Sequence, residues 1–579
     1  MPGSSRRWHF HAVSSVLRAA FAAASGEVIV AAVALVGLAV ALAGGPRLLV
    51  LVLALLALVV AAWLGWQLWR SDVSERDLEP VGSQVLSRIL AVMAGAVVVG
   101  TVPEPTAPAV VSAFTVVLLV TALLAEIEIS AVSTAARPYA ANLPGIQVRN
   151  YPVLAPRWVF WVNTTAATLF LLWAATASWL PGWLVLVPAG MAVLVELFVI
   201  ADGLLRLAAR RSAERRLPKI LAGHAPTFVL YWEAPPGSAH QIGMWLPYLS
   251  RLNRPYLVVL RTPGTFAETL ALTSVPVLVR RYVNELDVLM TPSLKTVFYV
   301  NTAPKNVHML QYLGINQIQL NHGDSDKAPS YRRVFRMYDK NFVAGQAAID
   351  RFANNGVVVP REAFEIVGRP QVETVEIEKV PIAARQLKRV LYAPTWYGYF
   401  EDSRYSSLPI GDRMVKALVD RGCEVIFRPH PWIWRTPTLV AAARRIDQFL
   451  QADAAATGRP HVFSAAAAAG SILDSFNQVD ALISDVSSVI PDFLYSEKPF
   501  AITCMVAAVG RDEFMADFPL ARAGYVLCGD LANLDAVLDN LLLTDPAAAL
   551  RREVKAYYLG DFPAENYAEG FLSVARRYV

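Results

Sequence analysis

The stretch Ala481–Phe500, ALISDVSSVIPDFLYSEKPF, runs from an apolar strand through a polar loop directly into a helix. Val489, Ile490 and Phe493 give that helix an apolar side, and Pro491 suits its first turn, where no backbone donor is needed. Ser487 and Ser488 therefore sit where unpaired N–H groups and the positive end of a helix dipole converge, a setting that holds phosphate without a metal. A second segment, FRPHP at Phe427–Pro431, sets Arg428 and His430 at the end of another expected strand. Together the two segments point to an anion site for a nucleotide diphosphate.

Working outward, 579 residues are too many for one ordinary domain, and the excess in a 55% hydrophobic chain lies at its front. The balance of 52 basic and 47 acidic residues carries no nucleic-acid signature. Cys423, Cys504 and Cys528 have no CxxC spacing, so neither a disulfide framework nor a zinc site is expected, and a reducing, cytoplasmic face suits that half. Residues 1–26, with Arg6, Arg7 and Arg18, read as an amphipathic segment rather than a cleaved leader. Six apolar stretches follow in a region 27–212: Val28–Gly44, Leu48–Leu68, Val85–Val102, Ala107–Leu124, Val159–Leu180 and Trp183–Leu205. The arginines alternate between connections so as to place both termini on the cytoplasmic side. Glu126, Glu128, Glu196 and Asp202 have no evident partners in the sequence and are expected to pack helices or to lie at the membrane border.

From about residue 213 the pattern changes to short β-branched runs alternating with amphipathic helices. Strands are expected at Thr227–Trp232, Tyr256–Leu260, Leu286–Met290, Thr296–Val300, Gln317–Leu320, Asn341–Val343, Arg389–Tyr392, Glu424–Phe427, Ala481–Ile483 and Phe500–Ile502. Such alternation predicts parallel sheets covered by helices, in two lobes, 213–370 and 371–579, divided after Gly368-Arg369-Pro370.

Four loops after these strands carry candidate chemistry. In NHGDSDK, Asn321–Lys327, His322 stands at the sheet rim, where a neutral imidazole can take a proton from an attacking hydroxyl. In YAPTW, Tyr392–Trp396, the Thr395 hydroxyl can meet a phosphate, although the segment taken by itself reads rather as a strand edge with surface aromatics. Arg428 and His430 share one face of an extended segment fixed by Pro429 and Pro431, the arginine as a fork for phosphate oxygens and the histidine as a donor. Asp485 with Ser487 and Ser488 also fits a common helix cap. His240, after Pro235-Pro236-Gly237-Ser238, is an outside candidate on the edge of the first lobe.

These motifs, HGDSDK, YAPTW, RPHP and SDVSSVIPDF followed by KPF, resemble the CDP-glycerol glycerophosphotransferase family of teichoic-acid primases and polymerases over about residues 226–575. The resemblance implies a GT-B fold, two Rossmann-like lobes with the site in the cleft; the apolar stretches add an all-α transmembrane region of about six helices before it, where family members often attach peripherally. It implies His322 as base, followed by Gly323 and with Lys327 kept. His430, Arg428, Ser487 and Ser488 would surround the CDP-glycerol pyrophosphate, with Thr395, Asp485 and Asp492 at further motif positions. Many members read WHGTPLK where this chain has NHGDSDK, and DYSS where it has DVSS. The implied activity is transfer of glycerol phosphate to a lipid-linked or envelope acceptor at the cell membrane, with no cofactor, no metal and no nucleic-acid partner. Two other readings stand beside it: a GT-B glycosyltransferase using a nucleotide sugar, and a non-catalytic membrane scaffold or transport module with a nucleotide-binding regulatory domain.

Overall fold

The computed structural model describes residues 26–70, 81–101, 106–176, 180–398, 404–505 and 510–579. The amphipathic segment 1–26 lies outside them except for Gly26, as do Arg76 and most of the Thr101–Pro105 connection. Two compact units emerge, Met1–Ile220 with Thr262–Phe266 and Pro276–Val279, and Leu221–Arg261 with Ala267–Val275 and Arg280–Val579.

In the first unit every apolar stretch is helical: α1 (Gly26–Leu42), α2 (Arg47–Arg70), α3 (Val85–Gly100), α4 (Thr106–Ala135), α5 (Arg157–Ala175) and α6 (Trp183–His224). Among the described residues, α2, α4, α5 and α6 are long and apolar enough to cross a membrane, while α1 and α3 are shorter. Leu48, Val52, Val59, Leu194 and Leu205 point outward and exposed, a surface compatible with lipid. Small residues bring the helices together: a Cβ on Gly65 would meet the Phe160 ring, and one on Gly95 would meet Leu171. Ala140–Ala141 pairs antiparallel with Val277–Val279, a strand that the sequence pattern did not reveal.

The second unit holds two parallel sheets. In the first, the strands lie in the order Tyr256–Leu260, Phe228–Trp232, Thr296–Tyr299, Asn316–Gln319, Lys340–Val343 and Phe364–Ile366. In the second, the order is Glu424–Phe427, Arg389–Ala393, Ala481–Ser484, Phe500–Cys504 and Tyr525–Cys528. Helices cover both faces of such sheets, so strands such as FVLYW and YLVVL are buried at every residue. Each order reverses once, between Phe228–Trp232 and Thr296–Tyr299 and between Arg389–Ala393 and Ala481–Ser484. Ligand crevices open at such reversals, outside the carboxyl ends of the strands. The C-terminal helix Glu569–Arg576 returns to the first sheet, where Phe571 packs on Trp245 and Phe342.

The structure corrects one expected strand. Leu286–Met290 lies in 3₁₀ turns, Val283–Glu285 and Asp287–Leu289. The Glu285 carboxylate accepts the N–H groups of Arg281 and Tyr282 at 2.6 and 3.0 Å, which coils the chain before it can extend. Phe364–Ile366 and Tyr525–Cys528 are strands that the pattern did not single out.

Polar side chains tie the helical unit together. Arg88 of α3 meets both oxygens of Glu126 in α4 at 2.7 Å, with both side chains fully buried. Asn163 of α5 donates to Glu126 and to Glu196 of α6 at 2.8 and 2.7 Å. Asp202 bonds Arg149 and, at 3.0 Å, Arg206. Glu126 and Asp202 thus have the cationic partners missing from the sequence pattern, and their role in packing helices follows. Arg88→Ala leaves Glu126 buried without its cation, a loss of about 3–5 kcal/mol. Thermal unfolding in detergent is expected to show a clearly lowered midpoint; an unchanged midpoint would mean that the pair adds nothing to the bundle.

Candidate active site

His322 leaves the first sheet through a turn that its neighbour enforces. Asn321 has φ +58°, a left-handed conformation that asparagine tolerates well. Its carbonyl accepts Trp245 Nε1–H at 2.6 Å, and its Oδ1 accepts the His322 N–H at 3.0 Å. The ring is fixed as well, with Nδ1 2.8 Å from the Val300 carbonyl. A carbonyl only accepts, so Nδ1 carries the hydrogen and Nε2 keeps its lone pair. Burial, with His240 and Arg369 nearby, pushes the His322 pKa down to about 4.

His430 is set in the opposite tautomer. Its Nδ1 accepts the Trp432 N–H at 3.1 Å, so Nε2 carries the hydrogen and donates. Burial, with His240, Lys327 and His322 nearby, pushes its pKa down to about 3. The ring stacks on Trp396 at 6.1 Å. His240 lies between the two lobes' histidines, its ring 6.4 Å from His322 and 6.4 Å from His430. One cleft therefore holds a proton acceptor and a proton donor from different sheets.

The surrounding loops meet at close range. A Cβ on Gly323 would fall 2.8 Å from both Cβ and Oγ of Ser488, so the histidine–glycine loop and the serine loop touch where only hydrogen fits. Arg435 donates to Pro236 O at 3.0 Å and Gln371 to Met244 O at 3.1 Å, further bonds across the cleft. Lys327 is half-buried with its ammonium 5.2 Å from the Tyr405 ring. Burial brings its pKa down to about 8, against the attraction of Asp485. Ser487 and Ser488 are half-buried at the head of the six-residue helix Val489–Leu494, and Ser487 Oγ lies 3.4 Å from Ser484 Oγ.

Three candidates are engaged with the protein itself. Asp485 is fully buried and accepts the N–H groups of Thr395 at 2.6 Å and Ser407 at 3.2 Å, as well as the Thr503 hydroxyl. It shapes the Thr395 loop from within, and burial raises its pKa. Arg428 donates to the carbonyls of Ala467 and Gly470, bracing the alanine-rich segment with part of its fork. Asp492 is held by Arg369, Nε to Oδ1 at 2.8 Å and a terminal nitrogen to Oδ2 at 3.2 Å.

Arg369 went unnoticed as a site residue in the sequence pattern. It also donates to the His322 carbonyl at 3.4 Å, so one guanidinium joins the His322 loop to the serine helix. Recognising Phe364–Ile366 as a strand would have put Gly368-Arg369-Pro370 at a carboxyl edge and drawn attention to it. Arg351 is a second omission: its guanidinium clamps Asp324 and, at 2.9 Å, Asp326, the two aspartates of the HGDSDK loop. Among the described residues no three His, Cys, Asp or Glu side chains converge as metal ligands.

Gly323→Ala is expected to destabilise by about 1–3 kcal/mol through overpacking against Ser488. Because the two positions touch, Gly323→Ala with Ser488→Gly should recover most of that loss in a thermal unfolding cycle. Additive effects would show that the loops do not meet there.

Comparison with curated proteins finds no match. Among solved structures, the wall teichoic acid polymerase TagF shares 14% identity over 64% of this chain and 94% of its own, with a TM-score of 0.38. A UDP complex of MnaA from S. aureus shares 12% identity over 59% and 94%, with a TM-score of 0.40. A putative UDP-N-acetylglucosamine 2-epimerase from Listeria monocytogenes shares 11% over 61% and 96%, with a TM-score of 0.40. The resemblance read from the motifs is matched directly: residues 262–505 fit the family model of CDP-glycerol:poly(glycerophosphate) glycerophosphotransferases.

Proposed function

We propose that the chain is a membrane-anchored glycerophosphotransferase that moves glycerol phosphate from CDP-glycerol to a lipid-linked or envelope acceptor, releasing CMP, as in teichoic-acid-like polymer synthesis. The apolar helices anchor a multi-pass protein with its catalytic part on the cytoplasmic side. Residues 213–370 form the acceptor lobe and 371–579 the donor lobe. The observation that carries this reading is the pair of opposed tautomers at His322 and His430. The family match over 262–505 supports the choice of donor.

In this mechanism the acceptor hydroxyl hydrogen-bonds to the lone pair on His322 Nε2. Its oxygen attacks the β-phosphorus in line while the bond from that phosphorus to the bridging oxygen breaks. CMP leaves with the electron pair, and the proton stays on His322. His430 Nε2–H, the Lys327 ammonium and the hydroxyls of Ser487 and Ser488 stabilise the charge that grows on the phosphoryl oxygens. The free part of the Arg428 fork and the Thr395 loop hold the rest of the pyrophosphate. Gly323 lets the serine loop approach, and Asp485 and Asp492 keep the loops in place. Fixing donor and acceptor in one cleft supplies the positioning, and anchoring at the membrane raises the effective concentration of a lipid-linked acceptor.

His322→Ala is expected to lower CMP release by about 10²–10⁴-fold while CDP-glycerol still binds. Full activity in that variant would eliminate the proposed base. A panel of cytidine and uridine donors tests the donor itself: labelling from a nucleotide sugar and none from CDP-glycerol would replace this function with glycosyl transfer.

The pH dependence follows from the charge each group needs. His322 must be neutral, so kcat/KM falls only as pH drops toward about 4. Lys327 must be charged, so kcat/KM also falls as pH rises through about 8. Lys327→Arg should move the alkaline limb upward, since a guanidinium stays protonated. An alkaline limb unmoved in that variant would remove Lys327 from the phosphate site.

A further inference from the structure

His240 follows the strand Phe228–Trp232, at the reversal in strand order of the first sheet, where such sheets open their ligand crevices. Its ring is edge-on to both other histidines at 6.4 Å between centroids, so one small bound group can lie against all three rings. Neither nitrogen of His240 has a hydrogen-bond partner among the described residues, and the side chain is exposed to the cleft. The nitrogens of the other two rings, by contrast, are half committed: each spends Nδ1 on the backbone and presents Nε2. Lys327 and Arg369 add positive charge around the same gap.

We propose that His240 is a third imidazole of this cleft, and that it grips the phosphoryl group being transferred, between the base His322 and the donor His430. The assignment rests on the phosphotransferase mechanism above and extends it. Neutral His240 offers one N–H to a non-bridging phosphoryl oxygen, while His322 faces the incoming hydroxyl and His430 the opposite side of the phosphorus. The ligand class is a phosphoric anhydride, and the group recognised is the one lost with the product, not the nucleotide's own phosphate. His240 needs no partner in the free protein because its partner arrives with the donor.

The test uses the full chain in detergent and titrates inorganic pyrophosphate and CMP separately by calorimetry. His240→Ala should weaken pyrophosphate binding by about tenfold or more, as expected for a lost hydrogen bond to a charged group. CMP binding should stay within about threefold, since CMP lacks the transferred group. His240→Asn, which keeps an N–H donor, should recover part of the pyrophosphate affinity. The same variants are then assayed for CMP release from CDP-glycerol, where His240→Ala should lower kcat more than it raises KM. Unchanged pyrophosphate binding and turnover in His240→Ala would overturn the proposal, as would an equal loss for CMP or a wild-type chain that binds no pyrophosphate. Pyrophosphate binding that depends on His240, in a chain that never releases CMP from CDP-glycerol, would leave the phosphoryl site standing and refute the reaction instead.

Discussion

The cleft depends on one buried ion pair, Arg369 with Asp492. Arg369 leaves the last strand of the first sheet, and Asp492 lies in the helix that follows the serine loop of the second. Their bidentate contact brings a charge from each lobe out of water at once. Desolvation of both ions offsets much of their attraction, so such a pair is a weak source of net stability. What it supplies is register. A lobe displaced by one residue would leave a guanidinium and a carboxylate buried without partners, at a cost of several kcal/mol. The C-terminal segment reinforces the same point, because Tyr567 OH accepts the Arg369 N–H at 3.1 Å and donates to the Leu559 carbonyl.

With that register set, the electrostatics of the histidines follow. Three imidazoles, Lys327 and Arg369 share a gap, and each additional positive charge would repel the others. Burial removes the water that would have screened them, so the rings of His322 and His430 stay neutral well below the usual histidine range. A neutral ring has one donor and one acceptor, and the backbone decides which faces the cleft. Val300 O leaves an acceptor on His322, and Trp432 N–H leaves a donor on His430. The two rings therefore differ through two backbone contacts, and no charged side chain is needed to tell them apart.

Much of this was legible in the sequence, for local reasons. The parallel strands are short runs with both faces apolar, and that alone marks Tyr256–Leu260 and Glu424–Phe427 at their observed bounds. The histidine, RPHP and serine loops stand out because each ends such a run. What was not legible depends on residues far apart in the chain. Arg88 lies 38 positions from Glu126, and Arg369 lies 123 from Asp492, and no periodicity links them. Asp485 illustrates the opposite error: a carboxylate beside two serines has the pattern of a ligand group, yet it faces inward because Thr395, Ser407 and Thr503 all present donors to it. Direction is a property of the packed loops, not of the motif.

The cations of the second unit divide by chemistry in a way that explains the loop NHGDSDK. Arg351 and Arg369 are buried and paired with carboxylates, the first with Asp324 and Asp326, the second with Asp492. A guanidinium suits that use, since its planar fork satisfies two carboxylate oxygens at once and does not lose its proton. Lys327 closes the same loop but forms no ion pair among the described residues, and burial brings its pKa down to about 8. An ammonium left without a carboxylate is costly to bury unless an anion arrives to meet it. Arg351 pairs with both Asp324 and Asp326 and offsets one of their two negative charges. The two aspartates fasten the loop between His322 and Lys327, while His322 Nε2 and the Lys327 ammonium are left facing the cleft.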